Sequence, residues 1–449
     1  MTKKQPINSS KMLPVELDEG KNLSINPTKE FIVAESNQCV SCGLCLPHCP
    51  TYRLLKSEAD SPRGRIALMQ GVMRDKIPLN ARFVMHMDRC LSCRACEAAC
   101  PNHVAFGNLM DSTRAVIAQQ SDDALQIKET GSMFMLKQWL ITHPVRIERL
   151  RRLFYWLQRI GFLKWLGKSE LLKKNAIWNL VVQLPVVEFP VSKMTENSYK
   201  VGDRWLEVYP ARGQERGAVG LFLGCIARLT DVTTLNASIF ILNQLGYVVH
   251  VPSRQTCCGA IHQHAGDRDC AMALARQNRS VFAELGVEVV LSAASGCGVQ
   301  LVEENNADCY RVMDISQFLL TAQGWEDIEL KSLEKKVLIH DPCSLRHVLN
   351  GHGFVYELMA HIPGIQIIPL PDNDQCCGAA GMYFINQPEI AQQLLDAKIS
   401  AVQEKRGAYL LTSNIGCAMH LATGLRNRGI DLEVLHPVTL LARQMGLEL

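Results

Sequence analysis

The sequence predicts an α+β protein of several domains, in which an all-helical N-terminal module is followed by a duplicated α/β domain. Two observations support this class. Residues 39–50 and 90–101 share one cysteine pattern, C-x2-C-x2-C-x3-C-P. From about residue 217 onward, a different set of cysteines occurs twice, at offsets of 118, 119 and 120 residues. This set comprises Cys225, Cys257-Cys258-Gly259 and Cys297, which return as Cys343, Cys376-Cys377-Gly378 and Cys417.

The N-terminal pattern is typical of a short loop and helix start that wrap a [4Fe–4S] cluster. In two-cluster domains the fourth cysteine of each run binds the other cluster. A zinc site would instead favour separated pairs of cysteines. We therefore predict a ferredoxin-type module with two [4Fe–4S] clusters. The first is assigned to Cys39, Cys42, Cys45 and Cys100, and the second to Cys90, Cys93, Cys96 and Cys49.

The segment between the two runs predicts a helix. Ser61 is a favourable N-cap residue, and Pro62 suits the first helical position. Helical spacing then continues through Ile66, Met69 and Met73. A helix here favours an all-helical module over a compact βαβ one.

Two arginines at the start of this helix have two interpretations. Arg63 and Arg65 could offset the negative charge of the clusters and so raise their reduction potential. They could equally be a solvated helix start.

Composition excludes several classes of protein. The chain is 47% hydrophobic and 20% charged, with a net charge of +3, so nothing indicates a nucleic-acid partner. Eighteen cysteines at metal-ligand spacing in a long chain point to a reducing compartment rather than a disulfide scaffold. We see no signal peptide and no apolar run of roughly 18 residues. A cytoplasmic protein without a transmembrane helix is therefore expected.

A basic, aromatic region separates the module from the duplication. Residues 136–175 carry ten Lys or Arg against two acids, and Trp139, Trp156, Trp165 and Trp178 lie in or beside them. Leu150, Leu153, Phe154, Leu157 and Ile160 recur at helical spacing. One interpretation is a basic amphipathic helix in peripheral contact with the inner face of the cell membrane. The other is a helix that docks on its own protein or on a partner subunit.

Five segments result from these boundaries. We predict a flexible arm at 1–30, the helical ferredoxin-type domain at 31–125, a helical basic and aromatic linker region at 126–215, and two Cys-Cys-Gly α/β repeats at 216–330 and 331–449.

Each repeat alternates apolar strands with helices, which predicts a partly parallel sheet. The strands are expected at 219–224, 247–251 and 287–291, and again at 337–340, 366–370 and 409–411. Cysteines follow these strands, and ligands bind at the carboxyl ends of parallel strands, so four sulfurs can converge in each repeat.

Adjacent cysteines send their side chains apart unless the backbone is unusual. Gly259 and Gly378 permit such a backbone and a close approach to a cluster. The repeats are thus candidate sites for one or two further iron–sulfur clusters, with buried apolar cysteines as the alternative. Their candidate ligands are Cys225, Cys257, Cys258, Cys297, Cys343, Cys376, Cys377 and Cys417. Cys270 and Cys309 have no counterparts and are interpreted as structural.

Further segments carry a resemblance that extends from about residue 36 to about residue 440. They are Pro62-Arg63-Gly64-Arg65-Ile66, Asp88-Arg89-Cys90-Leu91-Ser92-Cys93-Arg94, Ser295-Gly296-Cys297-Gly298 and Asn414-Ile415-Gly416-Cys417. With both cysteine patterns, they make the chain resemble the iron–sulfur subunit of glycolate oxidase, within the group related to heterodisulfide reductase. This resemblance implies electron transfer from FAD on partner subunits, which oxidise glycolate or D-lactate, to a membrane acceptor such as quinone.

One departure separates the chain from heterodisulfide reductase itself. Gln300 and His420 stand where a fifth cysteine of each half would be, so the noncubane cluster is not expected. His420 could add a ligand or be an ordinary histidine. No G-x-G-x-x-G opens a βαβ unit, so no flavin site and no catalytic residue is assigned to this chain. The alternatives are a thiol or disulfide reductase acting at the Cys-Cys-Gly sites, and a redox-responsive assembly or regulatory protein.

Overall fold

The computed structural model describes residues 29–120, 143–162, 188–194, 199–202, 204–305 and 309–447. Within these ranges a helical N-terminal region precedes two sheets of mainly parallel strands, each flanked by helices. The predicted fold class is confirmed. The arm at 1–28, most of the linker region, and Trp139, Trp165 and Trp178 lie outside the described residues.

Residues 29–120 contain helices and no strand. The helix Pro62–Met73 begins as predicted, because the Ser61 hydroxyl accepts a hydrogen bond from the amide of Gly64 at 2.9 Å. Its inner face enters the core of the module through Ile66, Met69 and Met73. The helices of this region are Lys29–Ser36, Pro50–Leu55, Pro62–Met73, Ala81–Asp88, Ala95–Ala98 and Phe106–Gln119, with a 3₁₀ turn at Glu58–Asp60.

The first repeat has a five-stranded sheet in the order β3-β5-β4-β6-β7. Adjacent strands of this sheet are parallel, except that the edge strand β3 pairs with β5 in the antiparallel direction. A separate antiparallel hairpin, β1 (Val191–Met194) with β2 (Tyr199–Val201), precedes it. The strands are β3 Val208–Tyr209, β4 Gly217–Phe222, β5 Tyr247–His250, β6 Val289–Ser292 and β7 Arg311–Asp314; the helices are Ile226–Thr230, Val232–Gln244, Ala260–His264, Arg268–Ala283, Ser295–Glu304 and Ile315–Thr321.

The second repeat has a wholly parallel sheet in the order β9-β8-β10-β11. This order matches β5-β4-β6-β7, so the duplication seen in the sequence is also a duplication of topology. The strands are β8 Lys336–Ile339, β9 Gln366–Pro369, β10 Tyr409–Leu411 and β11 Glu433–Leu435; the helices are Cys343–His347, His352–Met359, Tyr383–Asn386, Pro388–Lys405, Ile415–Asn427 and Pro437–Gln444. All six predicted strands are present. Five were missed: β7 and β11, and also β1, β2 and β3, which lie in the segment predicted to be a helical linker region.

The two repeats pack through one shared core with equivalent elements exchanged. Val232–Gln244 of the first repeat packs on Pro437–Gln444 of the second, and Ile315–Thr321 packs on His352–Met359. This reciprocity is that of an approximate twofold axis. The carboxyl ends of β6 and β10 meet at the interface, where the Ser295 amide donates to the Ser413 carbonyl at 3.1 Å. The cysteines that follow these strands therefore face one another across the interface.

The N-terminal module docks on both repeats. The Tyr383 hydroxyl of the second repeat donates to the Arg89 carbonyl at 2.9 Å. Arg94 pairs with Glu303 of the first repeat, and Asp111 lies 3.2 Å from the Nδ1 of His264. The N-terminal module is thus held against the side of the two repeats on which their cysteines lie.

Candidate iron–sulfur centres

The first N-terminal set consists of Cys39, Cys42, Cys45 and Cys100, and all four line one cavity. The loop that carries the first three turns through left-handed backbone at Ser41 and Gly43, with φ of 56° and 86°. Arg63 holds this loop by donating from Nη1 to the Ser41 carbonyl at 3.0 Å. The loop is thereby shaped so that its sulfurs point to one place.

The second N-terminal set consists of Cys90, Cys93, Cys96 and Cys49. Burial raises the pKa of Cys93 and Cys96 well above the usual range, and the nearby charges of Cys49 and Cys90 raise it further. Cys49 thus lies with the second run, and Cys100 lies with the first. An exchange of fourth cysteines, as in two-cluster domains, would have this arrangement.

A buried charge network adjoins the second set. Asp60 is fully buried. Its carboxylate lies 3.5 Å from Arg65 Nη2, 2.9 Å from His86 Nδ1 and 3.2 Å from Arg89 Nη1. Burial acts to raise the pKa of Asp60, but the hydrogen bond with His86 and the charge of Arg65 lower it on balance. Sequence analysis missed Asp60, since its partners come from two other helices.

The two arginines of the helix start differ in their surroundings. Arg65 is 1% exposed, and its Nη1 lies 4.0 Å from the Cys49 sulfur. Arg63 is about one-third exposed and pairs with Glu58 at 2.7 Å. Arg65 therefore fits the charge-compensation interpretation, and the solvated interpretation does not apply to it.

The first repeat set consists of Cys225, Cys257, Cys258 and Cys297. The sulfurs of Cys225 and Cys257 lie 3.4 Å apart, and Cys258 interacts with Cys297. Gly259 has a φ of 95°, a conformation that side chains rarely adopt. The backbone turns there, directly after the two adjacent cysteines, which fits the approach of both sulfurs to one site.

The second repeat set consists of Cys343, Cys376, Cys377 and Cys417. The sulfurs of Cys343 and Cys376 lie 3.9 Å apart, and Cys377 interacts with Cys417. At Gly378 the φ is 93°, and a Cβ would lie 2.7 Å from the Ala391 carbonyl. Both repeats therefore gather their four cysteines in the same way.

The electrostatics of these sets fit a metal cluster. The hydrogen bond between the Cys225 and Cys257 thiols raises the pKa of Cys225, and burial raises it further. The pKa of Cys343 is raised in the same way by Cys376 and by burial. Grouped, buried thiols cannot become thiolates near neutral pH unless a cation compensates their charge. An iron–sulfur cluster supplies that cation, so the donor set is suited to one.

The second N-terminal set touches the second repeat set. Cys93, Cys343 and Cys376 belong to one hydrophobic cluster, and the helix Cys343–His347 packs against the helix Ala95–Ala98. Leu91, Tyr383 and Ile390 pack around this junction and bury it. Two of the four cysteine sets are therefore contiguous, in a way that no local spacing in the sequence indicates.

A cavity of about 540 Å³ separates the two repeat sets. Its walls are mainly apolar, and seven of the eight repeat cysteines line it, the exception being Cys377. His420 also lines it and packs beside Phe384, and burial lowers the pKa of His420. The position that heterodisulfide reductase gives to a fifth cysteine thus borders the cavity in the second repeat.

Two cysteines lie outside the four sets. Cys270 is half-buried beside His262 and Asp267, and burial raises the pKa of its thiol to about 11. Cys309 is exposed. None of the eighteen cysteines forms a disulfide.

Comparison with known proteins agrees with this arrangement. Residues 35–104 match the family described as "4Fe-4S dicluster domain", and residues 219–302 and 337–422 both match "Cysteine-rich domain". The "Probable glycolate oxidase iron-sulfur subunit" of Bacillus subtilis is 31% identical over 91% of this chain and 94% of its own length. The chain belongs to the family of glycolate oxidase iron-sulfur subunits.

Other similar proteins extend the comparison. The "Glycolate oxidase iron-sulfur subunit" of Escherichia coli is 29% identical over 86% of this chain and 90% of its own length. "Lactate utilization protein A" of Anoxybacillus flavithermus is 26% identical over 49% of this chain and 96% of its own. An aspartate racemase structure from Picrophilus torridus aligns with 12% identity over 52% of this chain and 93% of its own, at a TM-score of 0.26, which is too low to support an argument.

Membership in this family establishes the general character of the chain. It is an iron–sulfur protein, and its relatives are subunits of glycolate oxidase, an oxidoreductase. Among the residues that the structure describes, no helix is long and apolar enough to cross a bilayer.

Proposed function

We propose that the chain is the electron-transfer subunit of a flavin-dependent 2-hydroxy-acid dehydrogenase. FAD on partner subunits would oxidise glycolate or D-lactate to the 2-oxo acid, and the two electrons would pass through this chain to a membrane acceptor such as quinone. The names of the Bacillus, Escherichia and Anoxybacillus relatives support this substrate class. The chain would work in the cytoplasm, at the inner face of the cell membrane.

The two N-terminal sets are the proposed ligands of two [4Fe–4S] clusters. The first set would hold one cluster and the second set the other, each with its fourth cysteine taken from the other run. When bound, such clusters supply one-electron transfer. The chain's own part is to present four thiolates at each site and to surround the buried site with Leu91, Met69 and Phe106.

The two repeat sets are the proposed ligands of one or two further clusters. Each set gathers four buried or half-buried sulfurs in an apolar pocket. Near the second repeat set, the side chain of Lys398 is almost fully buried and interacts with Cys376 and Cys377. Its ammonium group would offset part of the negative charge of thiolates there.

The contiguity of Cys93 with Cys343 and Cys376 carries the proposal. A relay requires that its redox sites adjoin one another away from water. The junction between the second N-terminal set and the second repeat set supports such a step, because Cys93, Cys343 and Cys376 pack in one hydrophobic cluster with Tyr383 and Ile390. No residue of this chain is assigned to the oxidation of the hydroxy acid, which we place on the partner flavin.

A second candidate function is that of a thiol/disulfide reductase, which would reduce a disulfide substrate to two thiols at the Cys-Cys-Gly sites. The cavity of about 540 Å³ between the two repeat sets favours it, because this volume suits a small ligand. The absence of fifth cysteines at Gln300 and His420 counts against it. Turnover of a disulfide by the isolated chain with an artificial electron donor would distinguish this candidate from the relay.

The relay is tested with the chain assembled with its flavin subunits. Cys42→Ser and Cys93→Ser each remove one ligand from an N-terminal set, and Cys309→Ser is the matched control at an exposed thiol. Both ligand variants should stop quinone reduction while the hydroxy acid still bleaches the flavin, and the control should do neither. Quinone reduction that survives both ligand changes would refute the relay.

Iron content tests the number of clusters. Anaerobically purified chain should contain more than the roughly eight iron atoms of two cubane clusters, because the repeat sets are suited to ligation. Variants with Cys258→Ser and Cys377→Ser should lose the excess and keep the N-terminal clusters. A wild-type value of about eight would restrict the clusters to the N-terminal module.

A further inference from the structure

The helix Pro144–Arg159 has an inner face that packs on the first repeat. Ile147 and Phe154 are buried in the same hydrophobic cluster as Cys225 and Leu229. Glu148, the one acid in this helix, also faces inward, with its carboxylate 3.7 Å from the guanidinium of the buried Arg228. The inner face thus contains buried apolar residues that pack on the first repeat, and it also contains the only acidic residue of the helix.

The opposite face of the same helix is apolar and basic. We define the outer face as Val145, Arg149, Arg152, Leu153, Trp156, Arg159 and Ile160, which recur at helical spacing and are all exposed. Trp156 is 63% exposed, Leu153 53% and Ile160 54%. The outer face contains no acid, so three positive charges are interleaved with large apolar side chains.

Exposed apolar side chains are concentrated in and just after this helix. Of the eleven large hydrophobic side chains that are exposed in the described part of the chain, five lie between Val145 and Phe162. A water-facing helix of a globular protein normally places such residues in the core. Tryptophan beside arginine is the combination found where a protein meets the boundary between lipid headgroups and acyl chains.

A basic groove continues the outer face at the start of the helix. It has a volume of about 320 Å³, and four of its lining residues are arginines: Arg149, Arg152, Arg204 and Arg228. Glu148 is its one acidic residue and is already directed at Arg228. Guanidinium groups in this number suit phosphate, so the groove complements anionic headgroups.

We propose that the outer face and the groove bind an anionic phospholipid surface. Leu153, Trp156 and Ile160 enter the headgroup region, and the arginines contact lipid phosphates. The consequence for the proposed relay, on which this step rests, is an orientation. Because the inner face of the same helix shares a hydrophobic cluster with Cys225 and packs on the helix Ile226–Thr230 that follows it, the first repeat set would lie about one helix diameter, roughly 10 Å, from the lipid. That set is then the end of the relay nearest to a membrane acceptor.

Vesicle sedimentation with the full purified chain tests the surface. The chain should bind vesicles that contain phosphatidylglycerol and bind phosphatidylcholine vesicles much more weakly. Arg149→Gln, Arg152→Gln and Arg159→Gln combined should weaken binding about 100-fold, since each arginine near an anionic surface contributes a factor of about five. Leu153→Ser with Trp156→Ser should also weaken binding at least about tenfold, through loss of apolar contact.

Matched variants keep the test specific. Arg82→Gln, Arg276→Gln and Arg311→Gln remove three exposed arginines elsewhere, and Ile77→Ser removes an exposed apolar side chain. These controls should bind vesicles as the wild type does, and all variants should retain the wild-type iron content. Equal binding by outer-face and control variants would overturn the proposal. So would a wild type that ignores anionic vesicles while the outer-face variants lose a partner subunit, which would identify a protein interface instead.

The outcome is separable from that of the relay. Vesicle binding needs no electron transfer, so the chain with Cys93→Ser should bind as the wild type does. Normal vesicle binding together with quinone reduction in that variant would refute the relay and leave the lipid surface standing. Loss of vesicle binding with intact reduction of a soluble acceptor in the outer-face variants supports both.

Discussion

The reduction potential of the cluster proposed at the second N-terminal set should depend on Arg65. Arg65→Met removes the positive charge and keeps a long side chain. The guanidinium lies 4.0 Å from the Cys49 sulfur. At that separation two unit charges interact by about 4 kcal/mol for an effective dielectric constant of about 20. Asp60, 3.5 Å from Arg65, cancels part of this, and the added electron is spread over the whole cluster.

If about a third of that interaction remains, Arg65 stabilises the reduced state by about 1.4 kcal/mol, or about 59 mV for one electron. Loss of the positive charge should therefore lower the midpoint potential by about that amount. The assay is an anaerobic redox titration followed by EPR, which resolves the two N-terminal clusters if their signals differ. Only samples with the wild-type iron content are compared, because the buried Asp60 would keep His86 and Arg89 but lose one of its three partners, which destabilises the fold.

Two further variants isolate the charge as the cause. Arg65→Lys retains it and should shift the potential much less than Arg65→Met. Arg63→Met acts at the other loop, where the arginine is partly exposed and paired with Glu58, so it should leave the second cluster unchanged. An unchanged or raised potential in fully loaded Arg65→Met, or an equal shift with lysine, would refute the electrostatic reasoning.

Three other predictions follow from the same geometry. Gly378→Ala should lower the unfolding free energy by roughly 1–3 kcal/mol and reduce iron retention, because Gly378 has a φ of 93° and a Cβ would lie 2.7 Å from the Ala391 carbonyl. Gly381→Ala should cost less, because Gly381 has a φ of 63° but open space around its Cβ position. Burial lowers the pKa of His340 and His436 to about 3. Because the unfolded chain takes up these protons below its usual pKa of about 6.5, stability should fall as pH drops from there towards 3, by up to about 1.4 kcal/mol per pH unit for each histidine. Denaturation at several pH values checks this, and His436→Gln should reduce the slope by up to about that amount. Cys49→Ser should abolish the EPR signal that Arg65→Met shifts, whereas Cys100→Ser should remove the other signal; the reverse result would disprove the exchange of fourth cysteines.

Much of the fold was accessible from local patterns. The start of the helix at Ser61 and Pro62 could be predicted because an N-cap and a first-turn proline act within a few residues. Six strands could be predicted because each is a short apolar run before a cysteine. Five strands were missed. β1, β2 and β3 are strands of two to four residues in the segment predicted to be a linker, and β7 and β11 are short edge strands with charged ends. The pairing of β7 and β11 depends on neighbours that are distant along the chain.

The character of the site also came largely from spacing. Ligation of a cluster needs several sulfurs at fixed separations, so the runs at 39–50 and 90–101 and the repeated Cys-Cys-Gly segments identified the candidate ligands. The resemblance to a known family added the partners and substrate class. The sequence left Arg63 and Arg65 undecided, however, because a helix start looks the same whether it faces solvent or a buried thiol.

Sequence alone therefore determined the order of the domains, their duplication and the cysteines that are candidate ligands. Tertiary structure decided which sets adjoin. It brought Cys93 and Cys343 into one cluster and buried Arg65 between Asp60 and Cys49. It also turned Trp156 outward while Phe154 is buried in the cluster that contains Cys225. The physical reason is that spacing constrains only atoms close along the chain. Contacts between distant segments are selected by burial of apolar area and pairing of buried charge, which depend on the whole packed molecule.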